Sequence, residues 1–436
     1  MRVLFRTFGC KANQYDTERM RQEVEALGGR GVESGQDPAV CVVNTCTVTN
    51  RADADARRFI RRVQRDHPGI RVVVAGCSSA LKPREYEEME GVVGVVRGHD
   101  PVEVARTTLN GAGSAESPLV PLEAVGPPDR ARAEPAGGEL LRRRRGSSRG
   151  WLKIQDGCDR KCSFCATRLA RGRSVSRSRE EIVAEARLLA RRHPELVLTG
   201  IHIGQYGRDL AEPTNLASLV GTILDRVPAV RLRLGSVEAT EVDDSLVDLL
   251  VSFPDRLASH LHMPLQSGAD PVLRAMRRWH TRETYRRRAL KIARRLPVLG
   301  LGADIITGFP GEREEDHQAT LALVRELPFT YLHVFPFSPR DDTPAAGLPG
   351  PVPQRVAGER SRELRELARE KGRRYRMGRV GEKARVVLEG RSGSGLTEDY
   401  LRVEVRNPPE TGTGLFPGHL REEGGHLYID LSQRSS

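Results

Sequence analysis

The fold prediction rests on the stretch Gln155-Asp156-Gly157-Cys158-Asp159-Arg160-Lys161-Cys162-Ser163-Phe164-Cys165, in which three cysteines are separated by three and two residues. It follows an alternating apolar segment, Trp151–Gln155, that predicts a β-strand. Thiolates are the ligands of iron–sulfur clusters, and so short a loop lets all three reach one cluster. Three ligands leave one iron open to a small molecule, whereas a structural zinc site has four protein ligands. A zinc loop or unrelated buried thiols are the alternatives.

Strands and amphipathic helices alternate downstream of this loop. The pattern predicts six strands, at Trp151–Gln155, Leu196–Thr199, Arg231–Gly235, Ala258–Met263, Gly302–Thr307 and Tyr331–Phe335. Helices are predicted between them, at Arg179–Arg192, Leu216–Val227, Asp243–Val251, Arg282–Leu296 and Glu314–Leu327. This order predicts a partial (β/α)6 barrel, and such barrels place their chemistry just past the carboxyl ends of the strands. We call Cys158, Cys162 and Cys165 the barrel trio.

A second α/β pattern occupies the first 110 residues. Its strands are predicted at Arg2–Phe8, Val40–Thr45, Ile70–Ala75 and Gly91–Val96. Helices lie between them, one with Met20, Val24 and Leu27 on a single face, and others over Ala52–Arg65, near Pro83–Met89 and from Asp100. Strands separated by helices predict a parallel sheet covered on both faces.

Three further cysteines follow the first three of these strands. Cys10, Cys46 and Cys77 each come just after a strand end, and the carboxyl ends of parallel strands share the edge where open α/β sheets bind ligands. We expect these cysteines, the amino-terminal trio, to converge. Cys41 begins its strand, roughly 16 Å from Cys46 at about 3.3 Å per residue, and we interpret it as a small buried apolar residue. Three chance cysteines at strand ends are the alternative.

The two trios together resemble the cysteines of the radical S-adenosylmethionine methylthiotransferases, over essentially the whole chain. The resemblance implies an α/β protein whose amino-terminal domain is a flavodoxin-like parallel α/β unit over residues 1–110. A linker rich in Gly and Pro follows over 111–149. The radical S-adenosylmethionine core is expected over 150–376. A small carboxy-terminal all-β barrel, similar to the RNA-binding TRAM domain, is expected over 377–436, with strands at Ala384–Glu389, Tyr400–Val405 and His426–Leu431.

The same resemblance implies the cofactors. Each trio is expected to hold a 4Fe–4S cluster, and the open iron of the barrel trio to chelate the methionine part of S-adenosylmethionine. One electron then cleaves the sulfonium and releases a 5′-deoxyadenosyl radical. S-adenosylmethionine serves both as methyl donor and as radical source. An electron donor such as flavodoxin or ferredoxin and a sulfur source are expected partners.

The stretch Gly9-Cys10-Lys11-Ala12-Asn13-Gln14-Tyr15-Asp16 resembles the branch of this family that acts on N6-threonylcarbamoyladenosine in tRNA. The implied product is 2-methylthio-N6-threonylcarbamoyladenosine. Radical chemistry suits such a target because the adenine C2–H bond offers nothing to general acid–base catalysis. The alternatives are methylthiolation of N6-isopentenyladenosine, methylthiolation of an aspartate of a ribosomal protein, and a non-enzymatic iron–sulfur protein that binds RNA.

Candidates for contacts to S-adenosylmethionine lie past the strand ends and beside the cluster loop: Thr199, Gly200, Glu238, Asp304, Gly308 and Arg173. Arg173 belongs to the run Arg171-Gly172-Arg173, which could bind a carboxylate or phosphate bidentately, as could Arg177. His262 and Gln266 follow the fourth barrel strand. Barrel packing or a capped turn is the alternative at each strand-end position.

Charge and composition indicate which kind of molecule the protein binds and in which compartment we expect it. The chain has 70 Lys and Arg against 58 Asp and Glu, a formal charge of +12, which suits a polyanion such as tRNA. A basic helical segment over 353–380 is expected to contact phosphates, so binding should weaken steeply with salt. No apolar run approaches the roughly 20 residues of a membrane span. Without an export signal we expect a cytoplasmic protein, not membrane-bound, and a monomer.

The two trios predict the iron content. Anaerobic reconstitution should load about eight irons per chain, which corresponds to two clusters of the four-iron type. Iron and acid-labile sulfide analysis measures the value. About four irons per chain would contradict the assignment of one of the trios.

Overall fold

The computed structural model describes residues 1–33, 35–110, 140–389, 393–409 and 414–432. The part of the expected linker from residue 111 to residue 139 lies outside the described residues. Among the described residues, no helix is both long and apolar enough to cross a membrane.

In residues 1–33 and 35–110, five parallel strands form one sheet in the order β2-β1-β3-β4-β5. The strands are β1 (Arg2–Thr7), β2 (Arg30–Val32), β3 (Val40–Thr45), β4 (Arg71–Gly76) and β5 (Val92–Val95). The helices are α1 (Lys11–Ala26), α2 (Asn50–Asp66), α3 (Cys77–Leu81), α4 (Pro83–Glu87) and α5 (Pro101–Asn110). This strand order is that of flavodoxin-like folds, as expected.

The central strand of this sheet, β3, is covered by helices on both faces. All six residues of β3 are buried, which is typical of a parallel strand covered on both faces. Cys41 lies in β3 within the apolar core, as the sequence predicts, and burial raises the pKa of its thiol to about 12. The chain order reverses between β1 and β3, and such a reversal opens a crevice at the carboxyl ends of the strands.

Residues 140–389 contain the predicted partial barrel. Its strands and an adjoining hairpin are β6 (Arg149–Lys153), β7 (Gln155–Asp156), β8 (Val175–Ser176), β9 (Glu195–Thr199), β10 (Arg231–Leu234), β11 (His260–His262), β12 (Gly300–Thr307) and β13 (Tyr331–Pro336). Strands β6, β9 and β10 are parallel neighbours, as are β11, β12 and β13. Parallel bridges from Leu232 to Leu257 and from Ser236 to His262 join the two halves. The six-strand prediction is confirmed.

Helices cover the outside of this barrel and extend past it. They are α6 (Thr167–Arg171), α7 (Arg179–Ala190), α8 (Leu216–Arg226), α9 (Asp244–Ser252), α10 (Asp270–Ala275), α11 (Arg282–Arg295), α12 (Glu314–Glu326) and α13 (Gln354–Gly378). Short 3₁₀ turns lie at Ile203–Gln205, Ala239–Glu241 and Pro344–Gly347. The antiparallel pair β7–β8 lies between β6 and α7, directly before and after the cluster loop.

The described part of residues 383–432 is an all-β unit, as predicted. Its strands are β14 (Lys383–Glu389), β15 (Ser394–Leu396), β16 (Arg402–Arg406), β17 (Leu415–His419), β18 (Arg421–Glu423) and β19 (His426–Asp430). They follow the order β17-β14-β15-β16-β19-β18, antiparallel except for β16 and β19. The sequence predicted β14, β16 and β19 but not the other strands, two of which have only three residues.

Buried ion pairs fix this carboxy-terminal sheet to the amino end of the barrel. Glu195 accepts hydrogen bonds from Arg231 Nε at 2.7 Å and from Arg233 Nε at 2.8 Å. The same arginines donate to backbone oxygens of the carboxy-terminal sheet, Arg231 to Arg385 O at 2.6 Å and Arg233 to Thr397 O at 2.7 Å. Burial alone would raise the pKa of Glu195, but Arg233 and Arg231 lower it to about 2.

The turn after β15 packs inside the barrel end. Tyr400 stacks on His260 with ring centroids 4.2 Å apart. Gly300 allows this approach, because a Cβ there would lie 2.1 Å from Asp399 O. The carboxy-terminal sheet therefore closes the amino end of the barrel.

The amino-terminal sheet docks on the barrel at two places. On one side, α1 faces β6: Tyr15 donates a hydrogen bond to Glu185 at 3.1 Å, and Trp151 Nε1 donates to Gln14 Oε1 at 3.1 Å. On the other side, Arg340 donates to Thr47 Oγ1 at 2.6 Å. The carboxyl edge of the sheet thereby faces the cluster loop.

The buried Glu195 predicts a stability effect. Glu195→Gln leaves two buried guanidinium groups without their carboxylate, which should cost about 3–5 kcal/mol and lower the unfolding temperature at pH 7. Because the folded pKa of about 2 lies below the ordinary 4.5, this contribution is complete above about pH 4.5 and is lost as the pH falls toward 2. Thermal unfolding followed by circular dichroism measures it. The control is Glu404→Gln, an exposed side chain that should change little; equal unfolding temperatures would contradict the prediction.

Candidate functional site

The barrel trio lies on the loop between β7 and α6. Gly157 begins this loop with φ of +66°, and a Cβ there would lie 1.8 Å from Arg173 O, so only glycine fits. Cys158 N donates to Gly172 O at 3.1 Å, and Cys165 N donates to Cys162 O at 3.3 Å. The loop therefore folds back on itself with its three thiols on one side, and burial together with repulsion from Cys165 raises the pKa of Cys158 and of Cys162.

Hydrogen-bond donors and a cation surround these sulfurs. Arg160 N donates to Cys158 Sγ at 3.4 Å, His202 Nδ1 lies 3.4 Å from the same sulfur, and Arg278 Nη1 donates to Cys162 Sγ at 3.5 Å. Burial raises the pKa of Cys158 to about 12, so metal binding has to displace the proton. Donors directed at sulfur suit an anionic iron–sulfur cluster, and this donor set fits one.

A polar network that the sequence did not predict supports the barrel trio. His202 Nε2 lies 2.7 Å from Glu241, which also accepts from Arg160 Nη2 at 3.0 Å. The guanidinium groups of Arg160 and Arg278 lie 3.9 and 4.2 Å from the centre of the Trp279 ring. The only sequence signal was the place of His202, three residues past the end of β9.

The amino-terminal trio converges as predicted. Cys10 caps the start of α1, Cys46 follows β3, and Cys77 begins α3. Asn13 Oδ1 lies 3.5 Å from Cys10 Sγ and 3.8 Å from Cys77 Sγ. At Gly9, whose φ is +105°, a Cβ would lie 2.8 Å from Cys46 Sγ, so glycine allows this sulfur to approach the backbone before Cys10.

The surroundings of the amino-terminal trio also fit an iron–sulfur cluster. Burial, together with repulsion from neighbouring thiols, raises the pKa of Cys46 to about 12 and of Cys77 to about 11, although Arg171 opposes the shift at Cys77. Val48 N donates to Cys46 Sγ at 3.4 Å. None of the seven cysteines forms a disulfide, and all three thiols of this trio are free to bind a metal.

Arg171 connects the two trios. It ends α6, six residues after Cys165, and its side chain is fully buried. Arg171 Nε donates to Cys77 Sγ at 3.2 Å, and Nη2 donates to Asn13 Oδ1 at 2.9 Å. A side chain of the barrel thus binds directly in the amino-terminal trio, and α6, which begins two residues after Cys165, packs against α3, which begins at Cys77.

Carboxylates on both sides of the interface neutralise Arg171. Asp156 accepts from Arg171 Nη1 at 2.9 Å and Asp16 accepts from Nη2 at 2.6 Å. Lys153 pairs with the same carboxylates, at 2.7 Å from each. Burial by itself would raise the pKa of Asp156, but Arg171 and Lys153 hold it well below its usual range. Asp16, Asp156 and His99 lie close enough to share a metal ion, but these ion pairs account for both carboxylates.

Lys11 lies beside the amino-terminal trio in positive surroundings. Burial lowers the pKa of its ammonium group to about 8, and repulsion from Arg149 and Arg233 contributes to the shift. In the sequence, Lys11 stands out only as part of the stretch after Cys10 that resembles the branch acting on N6-threonylcarbamoyladenosine.

Comparison with known proteins agrees with this geometry. Residues 2–98 match the model of "Uncharacterized protein family UPF0004", and residues 152–324 match that of the "Radical SAM superfamily". The threonylcarbamoyladenosine tRNA methylthiotransferase MtaB of Bacillus subtilis is 35% identical over 422 residues, covering 92% of this chain and 89% of that protein. The chain belongs to the radical S-adenosylmethionine methylthiotransferase family.

Other members and solved structures agree. The MtaB protein of Thermotoga maritima is 33% identical over 93% of this chain and 90% of that protein. The tRNA-2-methylthio-N(6)-dimethylallyladenosine synthase of Bacillus licheniformis is 31% identical over 93% of this chain and 80% of that protein. Among solved structures, the radical S-adenosylmethionine methyltransferase TsrM of Kitasatospora setae covers 79% of this chain and 77% of its own with a TM-score of 0.61. At 18% identity TsrM supports the fold alone.

Three cofactor candidates of this methylthiotransferase lie near the barrel trio. Thr199 is buried at the end of β9, and its carbonyl accepts from Ile154 N at 2.9 Å. A Cβ on Gly200 would lie 2.6 Å from Gln155 O, so close backbone packing already explains this glycine. Glu238 pairs with Arg278, the residue that donates to Cys162, and burial raises its pKa. Their contacts to S-adenosylmethionine stay predictions.

The other candidates are more spread out. Asp304 lies between His262 at 3.1 Å and His333 at 3.2 Å; burial opposes its charge, but these histidines hold its pKa below the usual value. A Cβ on Gly308 would lie 2.4 Å from Ala357 Cβ, so this glycine allows α13 to pack on the end of β12. The side chain of Arg173 is 81% exposed, and a cofactor contact there stays a prediction.

Gln266 and Arg177 make hydrogen bonds within the barrel. Gln266 has φ of +67°, and its backbone bonds to β12 through Asp304 O at 2.8 Å. Arg177 binds a carboxylate bidentately, as the sequence allowed, but that carboxylate is Glu185 of α7. Of the arginines after the cluster loop, Arg171 is therefore the one that reaches a trio.

The position of Arg171 predicts two effects of its loss. Arg171→Met leaves Asp16 and Asp156 with one cation fewer, which should cost about 3–5 kcal/mol and lower the unfolding temperature. The amino-terminal trio should also lose its iron on reconstitution. Arg171→Lys keeps the charge but lacks the planar guanidinium group. Its unfolding temperature and iron content should lie between those of the unmodified protein and Arg171→Met. Thermal unfolding and iron analysis measure these effects.

The matched control for this experiment is Arg191→Met at the exposed end of α7. It should keep the unfolding temperature and iron content of the unmodified protein. An Arg171→Met protein that behaves like this control would show that Arg171 does not hold the interface together.

Proposed function

We propose that this chain is a tRNA methylthiotransferase that converts N6-threonylcarbamoyladenosine next to the anticodon into 2-methylthio-N6-threonylcarbamoyladenosine. The observation that supports the proposal is the contact of Arg171, which follows the barrel trio by six residues, with Cys77 of the amino-terminal trio. Family membership supports the chemistry, and the MtaB relatives support the substrate. The described fold supplies two groups of three free thiols, on two units of the chain that contact each other through Arg171.

The proposed cofactors are two 4Fe–4S clusters, one on each trio, and S-adenosylmethionine. When bound, they supply a carbon radical that removes hydrogen from C2 and the sulfur and methyl group that replace it. Both trios consist of free thiols surrounded by donors, so the residues fit these groups. An electron donor such as flavodoxin or ferredoxin and a source of sulfur complete the proposed reaction.

The chain's own residues position and enclose these groups. Arg160 N, His202 and Arg278 orient the sulfurs of the barrel trio. The ion pairs of Arg171 hold the two sheets together and exclude water from the interface, because its side chain is fully buried. A dry interface protects a reactive carbon radical from side reactions.

The proposed tRNA contacts lie on α13 and on the carboxy-terminal sheet, which we propose to be TRAM-like. Arg362, Arg369 and Arg373 of α13 are exposed and are spaced seven and four residues apart, so they lie on one face of the helix. Such a row suits contact with successive phosphates and predicts strong salt dependence. Because tRNA is the substrate, we place the enzyme in the cytoplasm.

A second candidate substrate is N6-isopentenyladenosine. The relative named as a dimethylallyladenosine synthase is 31% identical to this chain, close to the 35% and 33% of the two MtaB proteins. Overall identity alone therefore separates the two substrates poorly. An assay of both modified nucleosides decides between them.

The proposal predicts a difference between the two trios. Cys158→Ala should abolish formation of 5′-deoxyadenosine, because the barrel trio holds the cluster that reduces S-adenosylmethionine. Cys46→Ala should keep 5′-deoxyadenosine formation and stop methylthiolation. The assay combines nucleoside mass spectrometry of a tRNA anticodon stem-loop with detection of 5′-deoxyadenosine.

Cys41→Ala is the matched control, since Cys41 lies in the core of the sheet away from both trios. It should form both products. Methylthiolated product from either of the other variants would contradict the roles of the trios. A protein that modifies only isopentenyladenosine would overturn the substrate proposal and leave the chemistry intact.

A further inference from the structure

Lys11 is a cation without a partner next to a proposed cluster ligand. It is the first residue of α1, directly after Cys10, and its ammonium nitrogen lies 6.0 Å from the centre of the Trp151 ring. Lys11 is half-buried, and among the residues that the structure describes none accepts a hydrogen bond from it or forms an ion pair with it. By contrast, Lys153, which lies two residues after Trp151 in β6, pairs with two carboxylates.

Two other side chains in the same surroundings carry buried nitrogen atoms without a hydrogen-bond partner. Arg149 lies with its guanidinium carbon 5.6 Å from the centre of the same Trp151 ring. Its Nε and Nη1 atoms are buried and make no hydrogen bond within the described part of the chain. His260 is 1% exposed, and its Nδ1 has no partner there either, while its Nε2 lies 2.8 Å from Tyr331 Oη.

A chain of contacts inside the barrel joins these three side chains. Arg149 Nη1 lies 3.9 Å from Glu195, which accepts from Arg233 Nε at 2.8 Å. The guanidinium carbon of Arg233 lies 5.5 Å from the centre of the Tyr400 ring, and Tyr400 stacks on His260. The unpartnered groups of Lys11, Arg149 and His260 therefore belong to one interior region, bounded by Trp151 and Tyr400.

The charge of this region is positive. Glu195 is shared by Arg231 and Arg233, and Arg149 pairs with Glu389. This leaves the charge of Lys11 without compensation. Buried donors that lack acceptors are costly and rare in folded proteins, so a group that supplies acceptors and negative charge is expected here. A carboxylate does both, because its two oxygens accept about four hydrogen bonds and donate none.

We propose that Lys11, together with Arg149 and His260, binds the carboxylate of the threonylcarbamoyl group of the substrate. This inference rests on the proposed function. The carboxylate is carried on a flexible arm attached to N6, and Lys11 directly follows Cys10, so the arm can extend from the amino-terminal trio toward this interior region. A substrate with an apolar arm, such as isopentenyladenosine, has no group to place here. Lys11 is thus a specificity-determining residue.

The test compares two proteins, each with its clusters loaded, on two RNAs in all four combinations. The RNAs are an anticodon stem-loop with N6-threonylcarbamoyladenosine and the same stem-loop with the carboxylate blocked as its methyl ester. The proteins are the unmodified enzyme and Lys11→Met. Dissociation constants come from fluorescence anisotropy, and kcat/KM comes from nucleoside mass spectrometry.

The unmodified enzyme should prefer the acid over the ester about tenfold in Kd, the size expected for a hydrogen bond to a charged group. Lys11→Met should move this ratio most of the way toward one by weakening binding of the acid alone, with a small residual preference from Arg149 and His260. Lys11→Arg keeps the charge and should retain part of the preference. Folding should survive, because removing an uncompensated cation leaves no charge unpaired; thermal unfolding and iron content check this.

The matched control is Lys291→Met on the outer helix α11, which should keep the tenfold ratio. An unchanged ratio in Lys11→Met would overturn the inference. So would equal weakening for both RNAs, which would assign Lys11 to the neighbouring cluster rather than to the carboxylate. If the unmodified enzyme methylthiolates neither RNA, the proposed function fails, an outcome distinct from both.

Discussion

The site depends on the burial of Arg171 between two carboxylates from different parts of the chain. Asp156 belongs to the strand before the cluster loop, and Asp16 belongs to α1. Removing such charges from water costs several kcal/mol each unless every one finds a partner. The partners meet only when the amino-terminal sheet docks on the barrel with one orientation. The same docking packs α6, which follows the barrel trio, against α3, which begins with Cys77 of the amino-terminal trio.

Charge compensation of this kind recurs at the other end of the barrel. Glu195 binds Arg231 and Arg233, which also hold the backbone of the carboxy-terminal sheet. A large part of the chain's basic character therefore serves to join its sheets. In α13 likewise, Arg360 pairs with Glu312 inside the fold, whereas Arg362 points outward. A net charge of +12 alone does not separate these uses.

The region around Lys11 differs from these ion pairs because Lys11 has no carboxylate partner among the described residues. Most buried cations of the described residues have a carboxylate within 4 Å, as Lys153 and Arg171 do. Lys11, the first residue of α1, lies near the Trp151 ring, and the charges of Arg149 and Arg233 act on it. Uncompensated charge in a fold that otherwise compensates its charges is typical of a binding site rather than of structural packing.

The sequence by itself determined the local elements and the two trios. Buried strands such as β3 and the helices on the barrel were predicted because apolar periodicity reports which face of an element is covered. Apolar periodicity did not predict β2, β7 and β15, because these strands have only two or three residues. Only the tertiary structure decided the contacts of Arg171 and Lys11. Arg171 and Asp16 are 155 positions apart, and their ion pair depends on how two finished sheets dock, which no local pattern encodes.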